Sequence, residues 1–340
     1  MGVLYIDFPF LQERIGLTHM NKKVLSVIFC LFFGFAASAQ QDVQFSQYML
    51  NPLFYNAGWA GVDGSSHVSA MHRSQWAGYS STFDGDGGAP TSQLISFSTP
   101  LKIKEHNLGV GVNFINDIKG PISDLNIDFV MAYHKNIRKG KLSFGIKPSI
   151  ISHTIHGSRF RPNDENDPFI PSSKVSNTMF DLGIGGYYTT EDFSLGLGIN
   201  HLLRPTYDFG EVKDDFRNRF ETNLNISGQY NYDVAYKLVF KPSILIKSDF
   251  STYSFDLSGV FEYDEKIWGG LSYRDNEAII LLMGYSFLDG NKMRVGYGFD
   301  YVVGEQEAKQ PTSHEIFVRY NLPNISAGSK KIIRTPRFRF

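Results

Sequence analysis

The stretch Met293–Tyr301, MRVGYGFDY, changes character at every second position. Met293, Val295, Tyr297, Phe299 and Tyr301 fall on one side, and Arg294, Gly296, Gly298 and Asp300 on the other. Successive side chains of an extended strand point to opposite faces, so this reads as a strand with one apolar, aromatic face and one small or charged face. Leu108–Phe114 repeats the pattern, with Leu108, Val110, Val112 and Phe114 opposing Gly109, Gly111 and Asn113. In Phe193–Asn200, Phe193, Leu195, Leu197 and Ile199 oppose Ser194, Gly196, Gly198 and Asn200. Phe220–Tyr232 sets Phe220, Leu224, Ile226 and Tyr230 against Glu221, Asn223, Asn225, Ser227, Gln229 and Asn231. With their flanks such segments reach the roughly nine to eleven residues that a tilted transmembrane strand requires.

The links between strands divide into two kinds. Short ones fall at Lys102–Asn107, Ile137–Lys141, Thr190–Asp192, Tyr232–Val234, Asp264–Lys266 and Asp289–Asn291. Longer ones fall at Ser80–Pro90, Asn116–Asp124, Gly157–Ser176, Leu203–Asn218 and Gly304–Thr312, with Ser248–Ser251 and Arg274–Glu277 on the same side. Short turns on one side and mostly long loops on the other mark outer-membrane barrels, whose turns are periplasmic and whose loops are extracellular. The chain therefore reads as all-β: a transmembrane antiparallel barrel of about fourteen strands over residues 66–323. An even count places both termini in the periplasm. A secreted β-sandwich alternates in the same way, but its strands are shorter and its outward face is polar.

Residues 1–39 read as a signal peptide. Asn21, Lys22 and Lys23 form a basic opening, Val24 to Phe35 an apolar core, and Ala37-Ser38-Ala39 a cleavage site, which makes Met20 the natural start. The single cysteine, Cys30, lies within that core, so the mature chain has no disulfide and no cysteine metal site. Past the leader no run of about eighteen apolar residues occurs. Aromatics at 15% and 32 glycines are high for a soluble enzyme, and a net charge of −1 argues against a nucleic-acid binder.

Between leader and barrel, residues 40–65 keep neither period. The stretch Gln44–Gly61, QFSQYMLNPLFYNAGWAG, is punctuated by Asn51, Pro52, Gly58 and Gly61. Its Tyr48, Phe54, Tyr55 and Trp59 are too apolar to float in the periplasm, so the segment is expected to plug the barrel. Tyr48, Asn51, Pro52, Tyr55 and Trp59 would meet Arg73, Gln75 and Trp76 on the first strand, because a charge at membrane depth needs a partner or a wet cavity. The alternative puts Trp76 in the interfacial aromatic girdle with Arg73 solvated. By parity Lys147, Lys241, Asp256, Glu262, Arg294, Asp300 and Arg319 face inward. They either pair across a narrow lumen or line a water-filled pore.

Outside the barrel, Asp84–Gly88 and Asn163–Asp167 are acidic outer loops. Their carboxylates suit calcium, but the hand spacing is absent, and a partner-contacting or solvated loop fits better. Gly157–Ser176 and Leu203–Asn218, the longest outer loops, are the expected partner-contacting face. The tail 324–340 carries Lys330, Lys331, Arg334, Arg337 and Arg339, with Phe338 and Phe340 as apolar anchors and no acidic residue from Ser326 on. It is expected to dock on an acidic or peptidoglycan-associated periplasmic partner; a basic tail beside anionic lipids is the alternative. No catalytic cluster, metal site or cofactor motif emerges: the nine histidines form no H-x-x-x-H pair, and the Gly-x-Gly runs open no helix.

Several of these segments carry a resemblance. Gln44–Gly61, Arg73 with Gln75 and Trp76, Gly88–Thr91, Ser96–Pro100, Leu108–Asn113, Asn116 and Asp117 with Gly120, Ile267–Arg274, Gly296–Tyr301 and Ser313–Ile316 together resemble the PorP/SprF family of the Bacteroidota type IX secretion and gliding machinery. Only Trp59 and Ala60 depart, where the family's run is richer in Pro or Tyr. The resemblance implies an outer-membrane barrel that helps deliver or retain secreted cargo, such as adhesins, at the cell surface. Its implied partners are that cargo, met at the Gly157–Ser176 and Leu203–Asn218 loops, periplasmic or peptidoglycan-associated type IX components and outer-membrane lipids, with no nucleic acid and no cofactor. The runner-up is a channel for hydrophobic small molecules similar to the FadL transporters.

Overall fold

The computed structural model describes residues 42–79, 88–159, 173–207, 218–304 and 310–323. Strands β1 (His67–Ser74), β2 (Thr91–Ile103), β3 (His106–Lys119), β4 (Ile122–Ile137), β5 (Gly140–His156), β6 (Lys174–Thr189) and β7 (Phe193–Asn200) build one half of a sheet. The other half holds β8 (Asn223–Tyr230), β9 (Leu238–Ser248), β10 (Tyr253–Tyr263), β11 (Ile267–Arg274), β12 (Ala278–Phe287), β13 (Met293–Val302) and β14 (Thr312–Asn321). Each strand pairs antiparallel with its chain neighbours, and β1 pairs β14 from His67↔Asn321 to Ser74↔His314. The result is a closed barrel of fourteen strands, which leaves no sheet edge along the ring.

The alternation of the sequence becomes inside and outside. On β13, Gly296, Gly298 and Asp300 are buried while Tyr301 is exposed. Outward positions are large and apolar, among them Phe114, Met131, Phe144, Leu195 and Leu271, with Phe180 72% exposed. Many inward positions are small, polar or charged, and the large apolar ones, such as Leu94, Ile115, Leu245 and Phe317, pack against the aromatic residues of the lumenal segment. No helix among the described residues is long and apolar enough to cross a membrane; crossing is by strands.

Three features differ from the sequence expectation. The link placed at Asn116–Asp124 is a two-residue turn, Gly120 and Pro121, because β3 and β4 pair all the way to Lys119↔Ile122. There the outward positions turn polar, with Asn116 Nδ2 donating to Gln93 Oε1 at 2.6 Å, so the apolar period fades although the strands continue. The link placed at Tyr232–Val234 is strand: past Asn231 the chain of β8 resumes as Tyr232–Ala235, still paired to β9, with a register shift between Asp233 and Ala235. Phe220 is not an outward strand residue; it lies before β8 and packs against Tyr207, His201 and His153.

The wall is uneven. β4, β5 and β6 run for 16, 17 and 16 residues, whereas β1, β7, β8 and β11 have 8 each. The long strands exceed what the hydrocarbon needs, and at the end opposite His67 and Asn321 β6 runs on past its pairing with β7, from Lys174 to Gly183. That end also carries the long connections.

Inside lies the N-terminal segment. It has three short turns, Tyr48–Leu50, Pro52–Tyr55 and Ala57–Trp59. Pro52 starts the middle turn, where its missing N–H costs nothing. The Asn56 side chain accepts the Gly58 N–H at 2.8 Å and caps the last turn. Phe45, Leu53 and Ala60 are fully buried. The described part of the segment begins at the outer end and runs towards the periplasmic end. Ser46 and Gln47 lie by Glu315, near the outer end of β14, while Val62 lies by Lys141 at a periplasmic turn.

Candidate functional site

Glycines on the inner wall set how closely the segment can approach. A Cβ at Gly109 of β3 would stand 1.8 Å from the Ala60 carbonyl oxygen. One at Gly145 of β5 or Gly198 of β7 would stand 2.2 Å from the carbonyl oxygens of Ala57 and Tyr55. Backbone packs directly on backbone there, which only glycine allows. The Gly-x-Gly runs of β3 and β7 thus serve as a bed for the segment's main chain.

Polar contacts then fix the segment along its length. Asn51 Nδ2 donates to Ser96 Oγ at 2.8 Å, and Ser96 Oγ donates to Asn113 Oδ1 at 2.7 Å. The Tyr48 hydroxyl lies 3.0 Å from Ser243 Oγ and accepts from Ser258 Oγ at 3.1 Å. Lys147 Nζ donates to the Phe54 carbonyl at 3.1 Å, with Asp128 3.6 Å away. Nearer the periplasm, Lys141 Nζ donates to the Val62 carbonyl at 2.9 Å and Arg319 pairs with Asp63. Tyr55 turns its hydroxyl back to the segment, accepting the Phe45 N–H at 3.3 Å, and Trp59 packs edge-on against His67.

The strongest anchor is a cluster of charges at the outer end. Glu315, fully buried, accepts the backbone N–H of Ser46 at 2.6 Å and of Gln47 at 2.8 Å. Arg73, 1% exposed, reaches Asp300 at 2.7 Å and Glu315 at 3.5 Å, and its guanidinium also donates to Ser46 Oγ. Ser46 Oγ in turn donates to Asp300 at 2.7 Å. Behind this lies Arg274, fully buried, with Nε donating to Asp256 Oδ1 at 2.6 Å. Lys247 stands 2.8 Å from Asp256, and Arg274 is 3.6 Å from Asp300 and 3.4 Å from Glu277. Such a network is stable only while every member keeps its partners.

A second tie holds the very start of the segment. The His201 imidazole sits between Asp42 Oδ1, 2.9 Å from Nε2, and Asp181 Oδ2, 2.5 Å from Nδ1. Burial alone would strip the ring of its proton, but the two carboxylates outweigh it and raise its pKa from 6.5 to about 10. Burial likewise opposes the Asp42 charge, and His201 still lowers that pKa from 3.8 to about 2. The histidine's contribution is complete below about pH 6.5 and is lost as pH rises through 10; the aspartate's is complete above about pH 3.8 and is lost as pH falls through 2. A nitroxide on Val43→Cys will therefore be immobile near pH 6 and gain mobility above pH 10. With His201→Gln it will be mobile at both values, and a spectrum unchanged through pH 10.5 would refute the tie.

The seven inward charges read from the sequence take separate places. Lys147 and Arg319 meet the segment, and Asp256 and Asp300 join the outer cluster. Lys241 and Arg294 share Glu262. Gln75 and Trp76 lie past the end of β1, not on it. The Gln75 N–H donates to the Pro90 carbonyl at 2.9 Å and the Trp76 N–H to Ser313 Oγ at 3.0 Å, both at the rim. Sequence reasoning did not single out Glu315, Arg274, Lys247, Ser46 or His201. Glu315 shares the parity of Arg319 on β14, which is the signal that could have found it.

The family profile described as "Type IX secretion system membrane protein PorP/SprF" matches residues 37–320. The chain belongs to the PorP/SprF family. The match spans the lumenal segment and nearly all of β1 to β14, and with the closed barrel it places this PorP/SprF protein in the outer membrane. Among solved structures, this PorP/SprF chain is similar to the toluene transporter TbuX of Ralstonia pickettii, at 10% identity and a TM-score of 0.49, over 80% of this chain and 93% of that one. It is also similar to a FadL homologue of Pseudomonas aeruginosa, at 11% identity and a TM-score of 0.42, over 75% of this chain and 90% of that one. No curated protein matches the sequence.

The leader, the tail residues Lys330, Lys331, Arg334, Arg337, Phe338, Arg339 and Phe340, and the acidic positions Asp84, Asp86 and Asn163–Asp167 lie outside the described residues. Among the described residues no cluster of three metal-ligating side chains occurs.

Proposed function

We propose that this PorP/SprF barrel delivers or retains type IX cargo, adhesins included, at the cell surface by protein–protein binding. The observation that carries this reading is the occupied lumen. The segment is bedded on wall glycines and tied to buried charges at its outer end, so the barrel offers surfaces to partners before it offers a conduit. The outer connections Gly157–Ser176 and Leu203–Asn218, of which residues 160–172 and 208–217 lie outside the described residues, are the proposed cargo face. The basic tail after Pro323 is the proposed contact to periplasmic or peptidoglycan-associated components.

Affinity purification of the tagged protein from native outer membranes, with mass spectrometry, tests this directly. Large secreted proteins with type IX sorting domains are expected to come along, together with periplasmic components of the machinery. Truncation after Pro323 is expected to remove the periplasmic set and leave the secreted set. A barrel that brings only lipid or fatty acid would overturn the proposal.

A further inference from the structure

The segment leaves part of the lumen unfilled. Its last two turns pack on β2 to β7, and a cavity of about 280 Å³ remains at the periplasmic end, bounded by the segment, by Tyr187 and Ser194 on that side and by Val260, Trp268 and Phe317 across from it. That volume is near the lower limit of small-molecule sites. Met49, Leu50 and Trp59 of the segment and Phe317 of β14 give it an apolar side, while Trp268, Lys241, Arg294 and Arg319 give it a polar one.

Two features of the polar side call for an anion. First, charge is unmatched: Glu262 is shared by Lys241 and Arg294, and Asp63 serves Arg319, which leaves three cations against two carboxylates. Second, two buried donors, Trp268 Nε1 and Arg294 Nε, have no acceptor among the described residues. Buried N–H groups are nearly always paired, so each such donor needs an explanation. Neither is free to turn away. Trp268, 2% exposed, lies across Gly284, where a Cβ would come within 2.2 Å of its ring, and the Arg294 guanidinium lies over that ring at 5.2 Å.

We propose that this cavity binds an amphipathic monocarboxylate. Its carboxylate accepts the Trp268 and Arg294 N–H groups and balances the third cation; its apolar body lies against Met49, Leu50, Trp59 and Phe317. One unmatched charge and two donors suit a planar, singly charged group better than a phosphate. The site is independent of the cargo reading, and because Met49, Leu50, Pro52, Trp59, Val62 and Asp63 of the segment line it, a bound acid also holds the segment in place.

The test uses the full barrel in nanodiscs with Trp76→Phe, so that fluorescence reports Trp59 and Trp268. Phenylbutyrate is expected to quench it saturably, and phenylbutanol to bind roughly tenfold more weakly, the worth of hydrogen bonds to a charged acceptor. Trp268→Phe keeps the ring and removes the N–H, and is expected to weaken the acid severalfold while leaving the alcohol unchanged. Arg294→Gln is expected to weaken the acid further. N-acetyl-glycyl-phenylalanine against its amide separates the two sources of this chemistry: preference for the peptide acid assigns a chain terminus, and binding of phenylbutyrate alone assigns a free acid. Equal binding of acid and alcohol, or indifference of acid binding to Trp268→Phe, would overturn the proposal.

Discussion

Deleting residues 42–61 is expected to raise single-channel conductance in planar bilayers by roughly an order of magnitude, because a barrel of this size encloses more space than its own side chains fill. Eight strands leave an interior that side chains can pack, and sixteen to eighteen leave an aqueous channel. Fourteen lie between, and here the difference is occupied by Phe45, Leu53, Phe54, Tyr55 and Ala60. The deletion removes partners from buried charges and so weakens the barrel as well. A second variant separates these effects. Gly145→Val with Gly198→Val leaves every buried charge in place but puts side chains where the backbone of the segment lies 2.2 Å from any Cβ. Conductance should rise there too, in a barrel that still shows heat-modifiable migration. Conductance unchanged in both variants would mean that the lumen is closed by something other than the segment.

What could be read in advance follows from which physical constraint each residue obeys. β13 was legible because lipid demands an apolar side chain at every second position, and Val295, Tyr297 and Phe299 satisfy that locally. The constraint ends where the wall leaves the hydrocarbon, which is why Gly120 and Pro121 were missed as a two-residue turn and Asn116–Asp124 read as a loop. Parity placed Asp300 and Arg294 on the lumen face, but parity gives no height and no partner. Glu315 and Ser46 meet across 269 positions of sequence, and nothing local in either marks the other. The course of the segment, outer end first and periplasm last, is likewise set by contacts that a stretch without period cannot announce. Glycine carried more than it disclosed. Its role at Gly109, Gly145 and Gly198 depends on what lies opposite, and a sequence shows only that the side chain is absent.

Arg73→Leu should be the most costly single substitution in the described barrel. The guanidinium serves Asp300, Glu315 and Ser46 together, so its loss leaves two fully buried carboxylates short of positive charge. Removing one partner of a buried pair costs about 3–5 kcal/mol, since the remaining charge keeps its desolvation penalty without its compensation. Glu315 retains the Ser46 and Gln47 N–H groups, which limits its share of the loss. Asp300 keeps Ser46 Oγ and only a distant Arg274, at 3.6 Å, and bears most of it. Hence Asp300→Asn, harmful alone, should return part of the stability when added to Arg73→Leu, with a coupling of roughly 1–3 kcal/mol, as expected for residues in contact. Arg73→Lys should fall between, because an ammonium keeps the charge but cannot span three acceptors with one planar fork. Urea unfolding of the reconstituted barrel measures all four variants. Additive losses for Arg73→Leu and Asp300→Asn would show that the pair does not act as a unit.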